Sequence, residues 1–339
     1  MKVNLKKHLF SKKNFKPLIV AEISANHCGS KRIFLKTIKS AAKNGADLIK
    51  IQTYEPKDIT IRKFKKNNKL WKLYTKAHTP FNWHKDAFKL AKKLKVNLFS
   101  SPFSERAVKF LEKFKVKLYK ISSFEITDLK LIHVIAKTKK PVIVSTGMAN
   151  FKEINECLNY IKKFHKKIIL LHCVSGYPTP ENQANLKRIL ALKKRFKDIK
   201  IGLSDHTDDI VTSLAAISFE VPLIEKHFIL SKKYKSPDAK FSINPGQLKI
   251  LSNYSKKIYS ALGKENLDIQ KAELKSKKFR RSIFSIKNIQ KGEKFSKKNI
   301  STFRPCVGIG AKYFFNVIGK KAKKNIKAFL PIYKNCLAN

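Results

Sequence analysis

Two histidines stand at the ends of apolar runs: His206 closes IGLSDH and His227 closes LIEKHF, 21 positions further on. If those runs are neighbouring parallel strands, both imidazoles reach one small ion. Imidazole with oxygen ligands suits Mn²⁺, Fe²⁺, Co²⁺ or Zn²⁺, and an adjacent carboxylate, Asp205 or Glu225, is placed to orient a ligand histidine through its second nitrogen. Lys50 in DLIKIQ and Lys120 in LYKISS interrupt otherwise apolar runs. A buried ammonium is costly unless an anion meets it. With the hydroxyls of Ser101, Ser123, Ser145 and Ser204, the two lysines would cradle a carboxylate and a phosphate. An imine-forming lysine is a competing use of the same residues.

Glu22 ends the first apolar run and can serve as a general base or anchor a water. Gln52, Glu125 and Tyr177 suit hydroxyls or amides of a sugar, and Asp238 can reach the same ligand from a loop. His172 and Cys173 follow the sixth run; with no base partner discernible for the thiol, Cys173 reads as a lining residue.

Positioning these groups takes eight short β-rich runs, at 18–23, 47–52, 96–100, 117–122, 141–145, 168–173, 199–203 and 222–227. Helical patterns separate them, at 31–44, 82–94, 104–114, 128–138, 151–164, 184–196 and 208–218, with another near 246–262. Near-continuous apolar strands alternating with helices describe a covered parallel sheet. Functional groups at the ends of many strands describe a (β/α)₈ TIM barrel with its site at the mouth. Residues 53–81 read as an extended loop over that mouth. The expected organisation is a barrel over 1–265, a charged linker over 266–279 and a small β-rich domain over 280–339.

A net charge of +52 raises the question of nucleic acid. The lysines are spread over nearly every helix, however, and only eight basic residues are arginine, the usual reader of base edges. Lysine filling exposed helical positions explains the charge without a specific nucleic-acid partner. The start lacks the apolar core, roughly 7–15 residues long, of a secretory signal, and no run reaches the ~18 apolar residues of a membrane span. Five dispersed cysteines without a CxxC pair indicate neither a disulfide framework nor a thiolate metal site. A cytoplasmic protein without a membrane partner is expected.

The motifs AEISANHCGS, GADLIKIQTY, KISSFE, VSTG, LHCVSGYPTP, IGLSDHT and EKHF, in this order over about 17–245, resemble the sialic-acid synthase family. The remainder, from RSIFSIKNIQKGEKF to RPCVGIG, resembles the antifreeze-like (SAF) domain that follows the barrel in that family. The resemblance implies a condensation of phosphoenolpyruvate with an N-acylated amino sugar and water, releasing phosphate by C–O cleavage. It implies that His206 and His227 hold a divalent metal, Mn²⁺ first, with Mg²⁺ or Co²⁺ as alternatives. It assigns Lys50, Ser101, Lys120, Ser123, Ser145 and Ser204 to phosphoenolpyruvate, Glu22 to catalysis, and Gln52, Glu125, Tyr177 and Asp238 to the sugar. Arg304 matches an arginine that reaches the partner's barrel in a domain-swapped homodimer. ISANH, SSFE and DAKFS lean toward the pseudaminic acid branch, whose acceptor is 2,4-diacetamido-2,4,6-trideoxy-L-altrose. N-acetylneuraminic and legionaminic acid synthesis stay open.

Overall fold

The computed structural model describes residues 4–11, 15–63 and 68–338. Two compact units divide after Gly263.

In the first unit, β1 (Leu18–Glu22), β2 (Leu48–Thr53), β3 (Asn97–Pro102), β4 (Tyr119–Ile121), β5 (Val142–Ser145), β6 (Ile168–Cys173), β7 (Lys200–Asp205) and β8 (Leu223–His227) close in sequence order into a parallel barrel. β8 returns to β1 with Glu22 opposite His227. All eight expected strands form. Their side chains alternate between two cores, as the two-residue strand period requires. Leu18, Val20, Leu48, Phe99, Leu118, Ile143, Ile169, Leu171 and Leu223 fill the interior. Ile19, Ala21, Ile49, Ile51, Val142, Val144, Ile201 and Ile224 face the helices. A side chain at the interior position Gly202 would lie 2.6 Å from both Leu171 Cδ2 and the Leu223 carbonyl, so only glycine fits there.

The helices are α1 (Leu5–Phe10), α2 (Lys31–Lys43), α3 (Pro56–Ile59), α4 (Asn68–Ala77), α5 (His84–Lys93), α6 (Glu105–Glu112), α7 (Leu129–Lys137), α8 (Phe151–Lys162), α9 (Arg188–Arg195), α10 (Val211–Ala216) and α11 (Pro245–Leu262). Several begin where the local sequence offers a cap. Ser30, Ser104 and Asp128 accept from backbone N–H groups of α2, α6 and α7. Asn150–Glu153 and Asn244–Gln247 form reciprocal capping boxes. α1 sends Leu5 and Leu9 into the interior core, an element the sequence reading did not place.

Residues 53–81 depart from the expected extended loop. The segment contains α3 and α4, while 64–67 lie outside the described residues. Helical order is set here by contacts with the rim: Arg106 of α6 pairs with Glu55 and Asp58 at 3.0 Å each, and Tyr54 packs edge-on against Tyr74.

The second unit, Lys264–Asn339, has a core of its own in Ile283, Ile289, Phe295, Ile300, Val317, Ala322, Ile326, Ile332 and Cys336. β9 (Ser282–Ser285) and β10 (Ile300–Phe303) pair antiparallel, with Phe303 opposite Ser282. The charged stretch before β9 is tied to this unit, since Cys306 N–H donates to the Lys278 carbonyl at 3.0 Å.

Candidate active site

At the C-terminal ends of the strands a cavity of about 200 Å³ opens. Its lining includes Lys50, Gln52, Lys120, Ser123, Glu125, Ser145, Tyr177, Ser204, His206, His227 and Asp238. Ser101 and Glu22 do not line it, though both are buried at strand ends. Arg304 belongs to the second unit, exposed just beyond β10.

Strand register explains the convergence. Glu22, Lys50, Ser101, Lys120, Ser145, Cys173, Ser204, Glu225 and His227 each lie an even number of positions from an interior-facing residue in the same strand or, for Lys120, from Leu118 just before it. They therefore continue the interior stack upward and end it in polar groups.

The floor is an ion cluster. Lys50 Nζ lies 2.8 Å from Glu22 Oε2 and donates to Glu225 Oε1 at 3.0 Å. Lys120 Nζ is 3.6 Å from the same Glu225 oxygen, and Ser204 Oγ donates to it at 3.1 Å. Burial works against ionisation of Glu225, but Lys120 and Lys50 outweigh it and hold the carboxyl well below its ordinary range. Burial pulls Lys50 down to about 8. This arrangement corrects the orienting role expected of Glu225: it is the counter-ion of both lysines. Asp205, one residue off the interior register, faces outward and binds Lys226 at 3.1 Å and the Thr207 N–H at 2.9 Å. It does not orient a histidine either.

The histidine partners come from elsewhere. His206 Nδ1 is 2.9 Å from the Val174 carbonyl, so Nδ1 is the nitrogen that carries the proton in the neutral ring, and Nε2 is the one that could take an ion. His227 Nδ1 faces Asp238 Oδ2 at 3.5 Å, long for a hydrogen bond. Asp238 is held in turn by the Ala25 N–H at 3.1 Å. The two rings lie 5.3 Å apart between centroids. Among the described residues no three His, Cys, Asp or Glu side chains gather as an ion site. Two oriented imidazoles facing a polar cavity still fit a divalent ion whose remaining positions take water or ligand oxygen.

Cys173 lines the cavity, and its sulfur does have an imidazole neighbour, His206 Nδ1 at 3.7 Å. That corrects the expectation of a thiol without a base partner. The nitrogen is committed to the Val174 carbonyl, so lining remains the role the geometry supports. His172 points out of the barrel and bonds the Ala184 carbonyl at 2.7 Å.

Buried polar atoms without a hydrogen-bond partner line the cavity at Ser145 Oγ, Ser122 Oγ, Glu125 Oε2 and Glu225 Oε2, and Ser101 Oγ, at the end of β3, is another. Such atoms are rare in folded chains and signal a ligand that completes them. Glu125 shows the cost most clearly, because burial pushes its carboxyl up to about 7 from 4.5. A carboxyl protonated more readily when folded favours folding while neutral, and that contribution fades as pH rises from about 4.5 through 7. It amounts to on the order of 3 kcal/mol. Relative to Glu125→Gln, wild-type protein should therefore lose stability to urea between pH 5 and pH 8. A pH-independent difference between the two proteins would contradict the assignment.

Sequence reading missed one wall of the cavity: Tyr54, Ile59, Leu73, Tyr74, Ala77, Phe103 and Phe124. The helical spacing of Leu70, Leu73, Tyr74 and Ala77 was the available signal.

A closed barrel with ammonium groups, imidazoles and orphaned hydroxyls converging on one mouth belongs to an enzyme acting on small molecules. The chain belongs to the NeuB family, whose model matches residues 37–267, and the SAF domain model matches 280–338. It is 41% identical to a pseudaminic acid synthase of Campylobacter jejuni, over 92% of this chain and 94% of that one. An N,N'-diacetyllegionaminic acid synthase of the same organism is 39% identical, over 92% and 97%. A solved N-acetylneuraminic acid synthetase from Leptospira borgpetersenii, in complex with citrate, superposes with a TM-score of 0.73 at 30% identity, covering 78% of this chain and 90% of that one. No helix among the described residues is long and apolar enough to cross a membrane.

Proposed function

We propose that this chain is a pseudaminic acid synthase: it joins phosphoenolpyruvate, 2,4-diacetamido-2,4,6-trideoxy-L-altrose and water to give pseudaminate and inorganic phosphate. The observation that carries the chemistry is the pair of buried lysines beside unpartnered hydroxyls, a site built for a small polyanion. The acceptor assignment draws on ISANH, SSFE and DAKFS together with the 41% identity to a pseudaminic acid synthase.

Lys50 and Lys120 neutralise the anionic ends of phosphoenolpyruvate, and Ser101, Ser123, Ser145 and Ser204 supply hydrogen bonds to its oxygens. A divalent ion, Mn²⁺ in this reading with Mg²⁺ or Co²⁺ as substitutes, would be held by His206 and His227 and would polarise the acceptor's aldehyde. Gln52, Glu125, Tyr177 and Asp238 orient the sugar. Glu22 takes the proton of the water that adds at C2, or anchors that water. Its carboxylate has no hydrogen-bond donor beyond the ion pair with Lys50, which leaves acceptor capacity for this role. Arg304, exposed on the second unit, reaches the barrel of a second copy in a domain-swapped homodimer. Five free cysteines accord with the reducing cytoplasm as its place of action.

The test is incubation of purified protein with phosphoenolpyruvate, Mn²⁺ and each candidate amino sugar, following phosphate and keto-acid product. Phosphoenolpyruvate labelled with ¹⁸O at the bridging oxygen should deliver the label to phosphate. Label retained in the keto acid would exclude C–O cleavage. Glu22→Gln should slow turnover about 10²–10⁴-fold, the usual contribution of a positioned base. Full turnover with an unchanged pH profile would remove Glu22 from the chemistry.

A further inference from the structure

The cavity is chemically divided. Its floor carries the lysines, carboxylates and histidines, whereas one side is a wall of Tyr54, Ile59, Leu73, Tyr74, Phe103 and Phe124. Tyr54 is braced by edge-on contacts to Phe103 at 5.1 Å and Tyr74 at 5.9 Å between ring centroids. Leu73 and Tyr74 of that wall come from α4, an amphipathic helix with no buried residue. Leu73 is 43% exposed and Phe124 61% exposed, although both border a cavity that also holds the lysines, histidines and carboxylates. Apolar surface left open beside a polar site is an element awaiting a ligand with an apolar part.

We infer that this wall determines acceptor specificity by receiving the methyl-bearing groups of the sugar, the deoxy C6 methyl and an N-acetyl methyl. The inference rests on the acceptor reading above and names the residues that enforce it. A hexose retaining its 4- and 6-hydroxyls would have to desolvate them against Leu73, Ile59 and Phe103, whose side chains offer no donor or acceptor. A trideoxy sugar with acetamido groups buries methyls there at no such cost. Discrimination in apolar pockets of this kind runs on the order of 10–200-fold.

The test compares kcat/KM for 2,4-diacetamido-2,4,6-trideoxy-L-altrose and for N-acetylmannosamine, with Mn²⁺ and saturating phosphoenolpyruvate. Wild-type enzyme should prefer the trideoxy sugar. Leu73→Asn, a change at a half-exposed position whose folding can be checked by thermal melting, should lower that preference about 10-fold and leave the KM for phosphoenolpyruvate unchanged. Ile59→Asn should shift it in the same direction. A wild-type preference for N-acetylmannosamine would overturn the acceptor reading and this inference together. A wild-type preference for the trideoxy sugar that both variants retain undiminished would overturn the inference alone. An equal loss on both sugars would likewise overturn it, because the wall would then serve the fold or a protein contact.

Discussion

Lys120→Met should lose about 3–5 kcal/mol of stability, the range for removing one partner of a buried ion pair, and most of its activity. Lys120 is 2% exposed and lies 3.6 Å from Glu225 Oε1, which it shares with Lys50. Without the second ammonium, a carboxylate buried to 3% exposure keeps one cation and one hydroxyl for compensation. The same ammonium is proposed to meet an anionic end of phosphoenolpyruvate, and losing a preorganised charge of this kind costs on the order of 10²–10³ in turnover. The double variant Lys120→Met/Glu225→Gln separates the two effects. It should recover most of the stability, since the excess buried negative charge is gone, while turnover stays low. Urea midpoints and steady-state kinetics on the three proteins decide the matter. A double variant that regained activity along with stability would mean that Lys120 serves the fold alone.

His227→Ala should reduce turnover by about 10³-fold or more, on the scale of losing the electrophilic stabilisation a bound ion provides. It should also abolish tight binding of Mn²⁺ followed by the paramagnetic resonance of the free ion. His206→Ala should match it, because the two rings are 5.3 Å apart and are proposed to serve one ion. Asp238→Asn should be milder, weakening Mn²⁺ binding about 10–100-fold as expected for a group that orients a ligand. Its carboxylate faces His227 Nδ1 and is anchored by a backbone N–H, so the amide would keep the shape and lose the charge. Wild-type enzyme treated with chelator should fall silent and recover on addition of Mn²⁺. Full turnover by metal-stripped protein would end this part of the proposal. Borohydride trapping of a pyruvate adduct on Lys50 or Lys120 would replace it with imine chemistry.

Much of the site could be seen before any coordinates. Lys50, Lys120, His206 and His227 are conspicuous because each ends or interrupts an apolar run, and polar side chains in that context need a reason. Glu225 was harder. In a strand buried on both faces the apolar residues do not alternate with polar ones, so the sequence of LIEKHF does not say whether Glu225 or Lys226 faces the interior. The register Leu223, Glu225, His227 resolves it and turns an expected histidine partner into the counter-ion of two lysines. The segment after β2 was recognised as long and polar, but its helix was not, because α4 owes its place to rim contacts rather than to a buried stripe.

Sequence by itself determined the eight strands, the helices that cover the barrel and the residue types that end each strand, since these follow from local propensity, capping and the spacing of apolar positions. Tertiary structure alone decided which groups touch. Barrel closure brings Glu22 beside His227 across 205 positions of chain, sets Val174 and Asp238 rather than the adjacent carboxylates behind the histidines, and lays an apolar helix face along a polar cavity. The physical reason is that pairwise electrostatics and cavity shape depend on separations of a few ångströms between distant segments, and only the packed sheet specifies those.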